Sequence, residues 1–373
     1  MAGIPPYPPV PSPSVYVDGP LGVKELRDDL SDGVTFLANA PSFSAYSTGG
    51  EQLTGGTWNS VTMNTESWDT WGGYAGSLDP QAYYCQAAGW YVAEAYMPFS
   101  YTGTTSAQSF GAGLAWTTGG TASGNTSGQF VAADFGNDPE LFAADLIQMT
   151  QTGLPGSAST DYVQGIAYTD GSAISLQAAS PNYPRLSVRW AGTGSASSLA
   201  VPSNPAWPVP PSYLTAAFMN ANISDALSFL ANPPLLRYSY GGTTQTLASM
   251  AWANYGTITL NSAWVDNYSG WSGSYYAAPV AGLYYTVATV ALEVTNADGQ
   301  FSFGAGVSVG GTVTWGNVTT TAAVPSSKTV VAQAAMRLRL GAGDEVALIG
   351  FQESGNTLDV GGFSRLVLAW ESA

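Results

Sequence analysis

Acidic residues lie close together in two places, and pairs of carboxylates are the groups with which glycoside hydrolases perform acid-base catalysis. Glu66 and Asp69 form the first pair, and Asp134, Asp138 and Glu140 form the second group. The second group could also hold a calcium ion through carboxylate and carbonyl oxygens. Both groups therefore need a functional and a structural interpretation.

The structural interpretation is favoured for both acidic groups. In the second half of the chain, the counterpart of the first pair keeps only Asp266. The 134–140 group lacks the spacing of a known calcium-binding loop. We interpret these residues as solvated loop acids and expect no catalytic residue, metal ion or cofactor.

The sequence contains no histidine and a single cysteine, Cys85. Serine, cysteine and metal-dependent sites that use histidine as a base or ligand are therefore excluded. A phosphate-binding G-x-x-x-x-G-K-[ST] sequence is absent as well. Cys85 has no partner for an intrachain disulfide and is predicted to be a small buried apolar residue. We predict that the protein is not an enzyme.

Aromatic residues are the more informative class, with 12 tryptophans and 21 tyrosines. Each half of the chain carries one cluster of three, which we place in corresponding loops: Trp68, Trp71 and Tyr74, then Trp264, Tyr268 and Trp271. Such rings fill cores, line subunit contacts, or stack on sugar rings of a cell-envelope glycan. The sequence leaves these three interpretations open.

Composition and charge restrict the partners of the chain. Charged residues make up 9% of the sequence, against about 25% in a typical soluble protein. This composition is typical of secreted proteins, cell-surface modules and virus particles. The net charge of −16 opposes binding to nucleic acid and to an anionic membrane.

The N-terminal segment, residues 1–17, is rich in proline and favours an extended polyproline II arm. Such an arm loses little entropy on docking, so we predict that Pro5, Pro6, Tyr7, Pro8 and Pro9 dock onto a partner. The segment lacks the charged and apolar regions of a signal peptide, and we expect synthesis in the cytoplasm. No stretch is long and apolar enough to predict a transmembrane helix.

The chain is an internal duplication. Residues 31–41 recur as residues 224–234, and Phe110-Gly111-Ala112-Gly113-Leu114 recurs as Phe303-Gly304-Ala305-Gly306-Val307. Further matches follow in the same order, which chance does not readily produce. One structural unit is therefore expected twice.

Each unit begins with apolar residues at helical spacing and continues with period-two strands separated by glycine-rich turns. The helical positions are Leu21, Leu26, Leu30, Val34 and Leu37, then Leu214, Phe218, Ile223, Leu227 and Leu230. The pattern predicts a mainly β protein of two tandem jelly-roll sandwiches, each preceded by a short amphipathic helix. The predicted domains are residues 18–190 and 212–373, joined by a linker at 191–211.

The second unit resembles the trimeric jelly rolls of the C1q and tumour-necrosis-factor type. The resemblance lies in the segment Tyr275-Tyr276-Ala277-Ala278-Pro279-Val280-Ala281-Gly282-Leu283-Tyr284 and in the hairpin at residues 338–346. With residues 229–234 before it and 349–355 after it, the pattern is similar to minor tail proteins of phages that infect actinobacteria. The match covers most of residues 212–372 and extends in weaker form to 20–190.

The resemblance implies a non-enzymatic structural protein of the virion, most often a trimer, located in the tail. Its partners would be further copies of itself and other tail or capsid proteins. The alternatives are a receptor-binding adhesin that recognises host cell-envelope glycan and a capsid decoration protein.

Overall fold

A computed structural model describes thirteen segments of the chain. They are residues 34–74, 76, 79–101, 108–133, 139–157, 159–171, 174–177, 182–195, 225–242, 245–250, 254–294, 301–320 and 328–372. Tyr101, residues 122–133, residues 315–320 and Lys328 are described by their backbone alone. The predicted docking arm, Asp134, Asp138, the predicted linker beyond Ser195 and the predicted helical positions before residues 34 and 225 lie outside the described residues.

The described strands of the first sandwich are β1 Ser42–Tyr46, β2 Thr57–Ser60, β3 Thr65–Asp69, β4 Ala82–Tyr84, β5 Gly89–Tyr101, β6 Gln108–Thr118, β7 Thr121–Ala133, β8 Glu140–Met149, β9 Tyr162–Thr169, β10 Ile174–Leu176 and β11 Arg185–Gly192. One sheet has the order β3-β1-β11-β5-β8, and we call it the face sheet. The opposite sheet has the order β7-β6-β9-β2, and we call it the back sheet.

In the second sandwich, the strands that the structure describes are β12 Leu235–Ser239, β13 Thr246–Leu247, β14 Gly256–Thr257, β15 Ser262–Asp266, β16 Tyr276–Ala277, β17 Gly282–Val294, β18 Ser302–Val309, β19 Thr312–Thr320, β20 Lys328–Leu340, β21 Glu345–Gln352, β22 Leu358–Val360 and β23 Arg365–Ser372. Its face sheet has the order β15-β12-β23-β17-β20, and its back sheet has the order β19-β18-β21-β14. In each face sheet, the strand that comes first in the chain, β1 or β12, pairs with the strand that comes last, β11 or β23. This closure is the jelly-roll arrangement, and the predicted fold class is confirmed.

Alternating residues fill the two cores, as the period-two pattern predicts. Tyr91, Ala93, Ala95 and Met97 of β5 point into the first core. In β17, by contrast, Val287 faces away from its own sandwich and belongs to a third apolar cluster that both sandwiches share. The face sheet of the second sandwich is therefore apolar on both sides.

The helices dock on their own sandwiches. The first helix is described over residues 34–38, and the second, α2, spans Asp225–Ala231. The ring of Phe36 meets Trp190 edge-on at 5.0 Å between centroids, and Phe229 meets Trp370 in the same way at 5.1 Å. In the described residues, no helix has the length and apolar character needed to span a membrane.

Matching contacts support the duplication in three dimensions. Gly89 and Gly282 lie against Trp190 and Trp370 respectively, and a Cβ at Gly89 would approach the carbonyl oxygen of Gly192 to 2.7 Å. A hydroxyl-to-backbone bond is also repeated, since Tyr284 donates to the carbonyl of Val280 as Tyr91 does to that of Ala87. These contacts explain why the glycine-aromatic step recurs in both halves.

Candidate assembly interface

The two sandwiches share a buried apolar cluster. The first sandwich contributes Trp90, Val92, Ala144 and Leu146, and the second contributes Leu235, Val265, Tyr285, Val287, Val367 and Ala369. Each of these residues is 7% exposed or less. Because this apolar surface is removed from water only when the sandwiches touch, its burial favours one joined body over two separate domains.

A buried ion pair crosses the same contact. Asp145 of β8 accepts hydrogen bonds from Arg237 of β12, at 2.9 Å from Nε and 2.8 Å from Nη2. Arg365 of β23 approaches the same carboxylate at 3.5 Å. Burial by itself would raise the pKa of Asp145, but the two guanidinium groups hold that pKa below its ordinary value. Burial lowers the pKa of Arg365 to about 10.

Strand β8 lies at the edge of its sheet, and a side chain of the other sandwich forms hydrogen bonds with its backbone. Gln333 of β20 accepts from the backbone N–H of Ala144 at 2.6 Å and donates to its carbonyl oxygen at 2.9 Å. Gln333 also donates to the hydroxyl of Thr289 at 2.8 Å. Buried edge groups are costly when unpaired, so this side chain makes the edge compatible with burial.

Polar contacts surround the apolar cluster. The hydroxyl of Tyr285 donates to the carboxylate of Glu94, and the guanidinium of Arg189 lies 4.9 Å from the centre of the Tyr285 ring. Glu371 pairs with Arg189 and, at 2.8 Å, with Arg337. These contacts form a polar rim of the kind found around buried interfaces.

The contact is of the edge-to-face type and is not symmetric. The β8 edge of the first sandwich lies on the face sheet of the second, and Arg237 reaches past β8 to within 5.8 Å of the Trp116 ring centre. The backbone of Val331 pairs with that of Phe130, which joins β20 to β7. Such a head-to-tail contact uses different surfaces on the two units.

Four of the six aromatic residues singled out in the sequence pack within their own sandwiches. Trp71 packs edge-on against Phe36, and Tyr74 packs against Phe43 at 5.2 Å between ring centres. In the second sandwich, Tyr268 donates to the carbonyl of Asn232, and Trp271 stacks on Tyr238 at 4.6 Å. These four rings hold the segment after β3 or β15 and the preceding helix in place.

The other two aromatic residues, Trp68 and Trp264, are half-exposed, at 52% and 51%. Both strand pairings contain a bulge at this point, but the two tryptophans occupy different positions relative to it. Trp68 pairs with Ser44, whereas in the second sandwich Val265 holds that position and Trp264 is the additional bulged residue. Arg237 lies over the Trp264 ring at 4.1 Å.

One member of the acidic pair, Asp69, has a structural role. Glu66 and Asp69 belong to strand β3, where the sequence analysis placed them in a loop. The carboxylate of Asp69 accepts from the backbone N–H groups of Trp71, Gly72 and Tyr74. These donors orient the carboxylate toward its own turn.

The 134–140 group is described only at its end. Glu140 is exposed at the start of β8 and accepts from the side-chain amide of Asn182 at 2.7 Å. Within the described segments, no group of three or more acidic or cysteine residues is arranged to hold a metal ion.

Sequence reasoning did not identify the residues that join the sandwiches. Asp145, Arg237, Gln333 and Arg365 are not among the candidate residues that the sequence predicts. The available signal was a charged residue inside an apolar strand, as in Leu235-Leu236-Arg237, within a chain of low charge content. The burial of a single charged residue in a strand can be inferred only when its ion-pair partner is known.

Comparison with known proteins finds similarity to solved structures only. No protein-family model matches the chain. No curated protein matches it either. Similar solved structures include the globular domain of zebrafish complement 1qA protein, with 15% identity, a TM-score of 0.25 and coverage of 37% of this chain and 95% of that one.

Two further structures are similar over the same share of this chain, 37%. Eiger TNF from S. frugiperda is 13% identical with a TM-score of 0.28, and 94% of its chain is covered. Murine APRIL is 10% identical with a TM-score of 0.27, and 98% of its chain is covered.

Proposed function

We propose that this chain is a non-enzymatic structural protein of a phage particle, a minor tail protein that self-assembles as a trimer. The observation that carries the proposal is the buried contact between the sandwiches, centred on Asp145, Arg237 and Arg365. It makes the duplicated chain one rigid building block. Assembly, rather than chemistry, is what such a block performs.

Three sequence features support the particle setting. The surface relies on uncharged polar residues, with charged residues at 9% of the chain. The combination of residues 229–234, 275–284 and 349–355 is similar to minor tail proteins of phages that infect actinobacteria. The proline-rich segment of residues 1–17 supplies a tether that would dock onto a neighbouring tail or capsid component. In this proposal, the chain is made in the host cytoplasm and acts in the virion.

Half-exposed tryptophans favour a second candidate function. Trp68 and Trp264 each present part of an indole ring to solvent, and indole rings stack well on sugars. In the alternative, the chain is an adhesin that uses these rings to bind host cell-envelope glycan. Capsid decoration is a further placement for the same building block.

Immunogold labelling of phage particles with antibodies against the purified chain tests the proposal. We expect gold on the tails of particles released from the organism that carries the gene. Gold on the heads would favour capsid decoration. Particles without gold, together with binding of the purified chain to isolated cell wall, would favour the adhesin and contradict the proposal.

A further inference from the structure

We propose that the cleft between the two sandwiches, beside Trp264, binds a glycan that carries N-acetylated sugars. Such a site lies outside the proposed assembly role and gives the glycan-binding alternative a defined place and a sugar class. One half-exposed indole ring, an open cleft and a smaller adjoining cavity support the proposal.

The indole ring of Trp264 is held in a fixed position while half of its surface stays in solvent. Its Nε1 donates to the hydroxyl of Ser239 at 3.1 Å, and the guanidinium of Arg237 lies over the ring, 4.1 Å from its centre. Arg237 is itself buried and paired with Asp145, so it supports the ring from one side. Trp264 is 51% exposed, and its exposed area therefore lies on the remaining sides. A ring that is already oriented loses little entropy when a sugar packs against it.

An open cleft of about 410 Å³ borders this ring. Both sandwiches form the cleft, since Trp264 belongs to β15 and Gln148 to β8. Gln148 and Ser195 are exposed at the cleft, Thr193 is partly exposed, and the buried Trp90 also lines it. Amide and hydroxyl groups beside an aromatic ring supply the donors and acceptors that sugar hydroxyl groups pair with.

The charge of the cleft favours a neutral ligand. Among the described residues that line it, Asp266 is the charged one. Its carboxylate accepts from the backbone N–H groups of Gly270, at 3.0 Å, and Trp271, at 2.9 Å. The net charge of −16 also opposes the approach of polyanions. A neutral sugar therefore fits the cleft better than an anionic polysaccharide does.

A smaller cavity of about 90 Å³ adjoins the cleft, because Trp264 and Gln148 line both spaces. Trp116 and Ile147 give the cavity apolar walls, and both are buried. The buried guanidinium of Arg237 lines it as well. A space of this size takes a group of a few heavy atoms.

The donors of Arg237 indicate which group fits the small cavity. Its Nε and Nη2 bond to Asp145, at 2.9 Å and 2.8 Å, and no described residue accepts from its Nη1. An acetamido group offers a carbonyl oxygen to this remaining donor and a methyl group to the apolar walls. A sugar that has a hydroxyl group in its place leaves those walls without a partner. The cavity therefore selects N-acetylated sugars.

Isothermal titration calorimetry of the full chain with two soluble tetrasaccharides tests the site. One is the β-1,4-linked tetramer of N-acetylglucosamine. The other, cellotetraose, has the same backbone with hydroxyl groups in place of the acetamido groups. We expect the N-acetylated tetramer to bind about tenfold more tightly or better, because cellotetraose leaves the small cavity unfilled. Equal affinities, or no binding of either sugar, would overturn the proposal.

Two matched tryptophan substitutions locate the binding. Trp264→Ala should weaken binding of the N-acetylated tetramer about tenfold or more. Trp68→Ala removes an equally exposed ring outside the cleft and should leave the affinity unchanged. Gln148→Ala changes an exposed side chain and should also weaken binding, which keeps the test valid if Trp264→Ala does not fold. Wild-type affinity in both cleft variants would contradict the site.

Native mass measurement separates this site from the proposed assembly. Trp264→Ala should keep the oligomeric state of the wild-type chain. Loss of the trimer in this variant would place the ring in a subunit contact and overturn the site. A trimeric wild-type chain that binds neither sugar would also overturn the site but leave self-assembly standing. Binding of the N-acetylated tetramer by a monomeric chain would support the site and overturn self-assembly.

Discussion

Replacing Asp145 with alanine should lower the free energy of unfolding by about 3–5 kcal/mol, because removing one partner leaves buried charge uncompensated. The side chains of Arg237 and Arg365 are 5% and 3% exposed, so solvent cannot replace the carboxylate at either guanidinium. The loss should appear in urea unfolding as a lower midpoint. It should also separate the unfolding of the two sandwiches.

An exposed ion pair of the same interface serves as the control. Arg337 pairs with Glu371 at 2.8 Å, but its side chain is 61% exposed. Arg337→Ala should therefore cost less than about 1 kcal/mol. A double-mutant cycle with Asp145→Ala and Arg237→Ala should show coupling, since the double variant removes both members of the central pair. Equal, small effects of Asp145→Ala and Arg337→Ala would contradict the buried-pair account.

Acid should weaken the same contact. The folded pKa of Asp145 is lowered below its ordinary value of 3.8, so its contribution to stability is complete at neutral pH. This contribution falls as the pH drops below about 4, toward the folded pKa. In the Asp145→Ala variant this part of the acid dependence should be absent.

The second large effect is expected at Asp161, which is fully buried. Its carboxylate accepts from four backbone N–H groups, those of Gly119, Gly120, Thr150 and Gln151. Burial alone would raise the pKa of this group, but the four donors lower it. Asp161→Ala leaves those donors without their acceptor and should cost about 3 kcal/mol or more. Urea unfolding of the purified variant measures the loss.

The duplication supplies a matched control for Asp161. Asp344 is its counterpart at the start of β21, but Asp344 is exposed and accepts from the backbone N–H of Gly341 at 2.7 Å. Asp344→Ala should therefore cost about 1 kcal/mol or less. Equal losses of stability in the two alanine variants would show that the four backbone hydrogen bonds to Asp161 do not stabilise the fold as expected.

Regular patterns made the fold predictable. The expected period-two strands are present, such as β17 over Gly282–Val294 and β21 over Glu345–Gln352. The repeated segments Phe110–Leu114 and Phe303–Val307 lie inside β6 and β18. These features follow from local alternation and turn residues, which a single sequence contains.

The assembly surfaces were less predictable, because they depend on contacts between distant residues. Trp68 and Trp264 looked equivalent in sequence, but they occupy different positions relative to the bulge in each strand pairing. Bulges leave little mark in a sequence. Asp145 and Arg237 are far apart in the chain, so their pairing follows only from how the sandwiches meet. The functions of the six aromatic residues stay predictions.

Sedimentation equilibrium of the wild-type chain tests the central claim, that this protein works by self-assembly. We predict a single species with three times the chain mass of 38.6 kDa, stable on dilution to the micromolar range. A species of 38.6 kDa that persists at every concentration would contradict the claim.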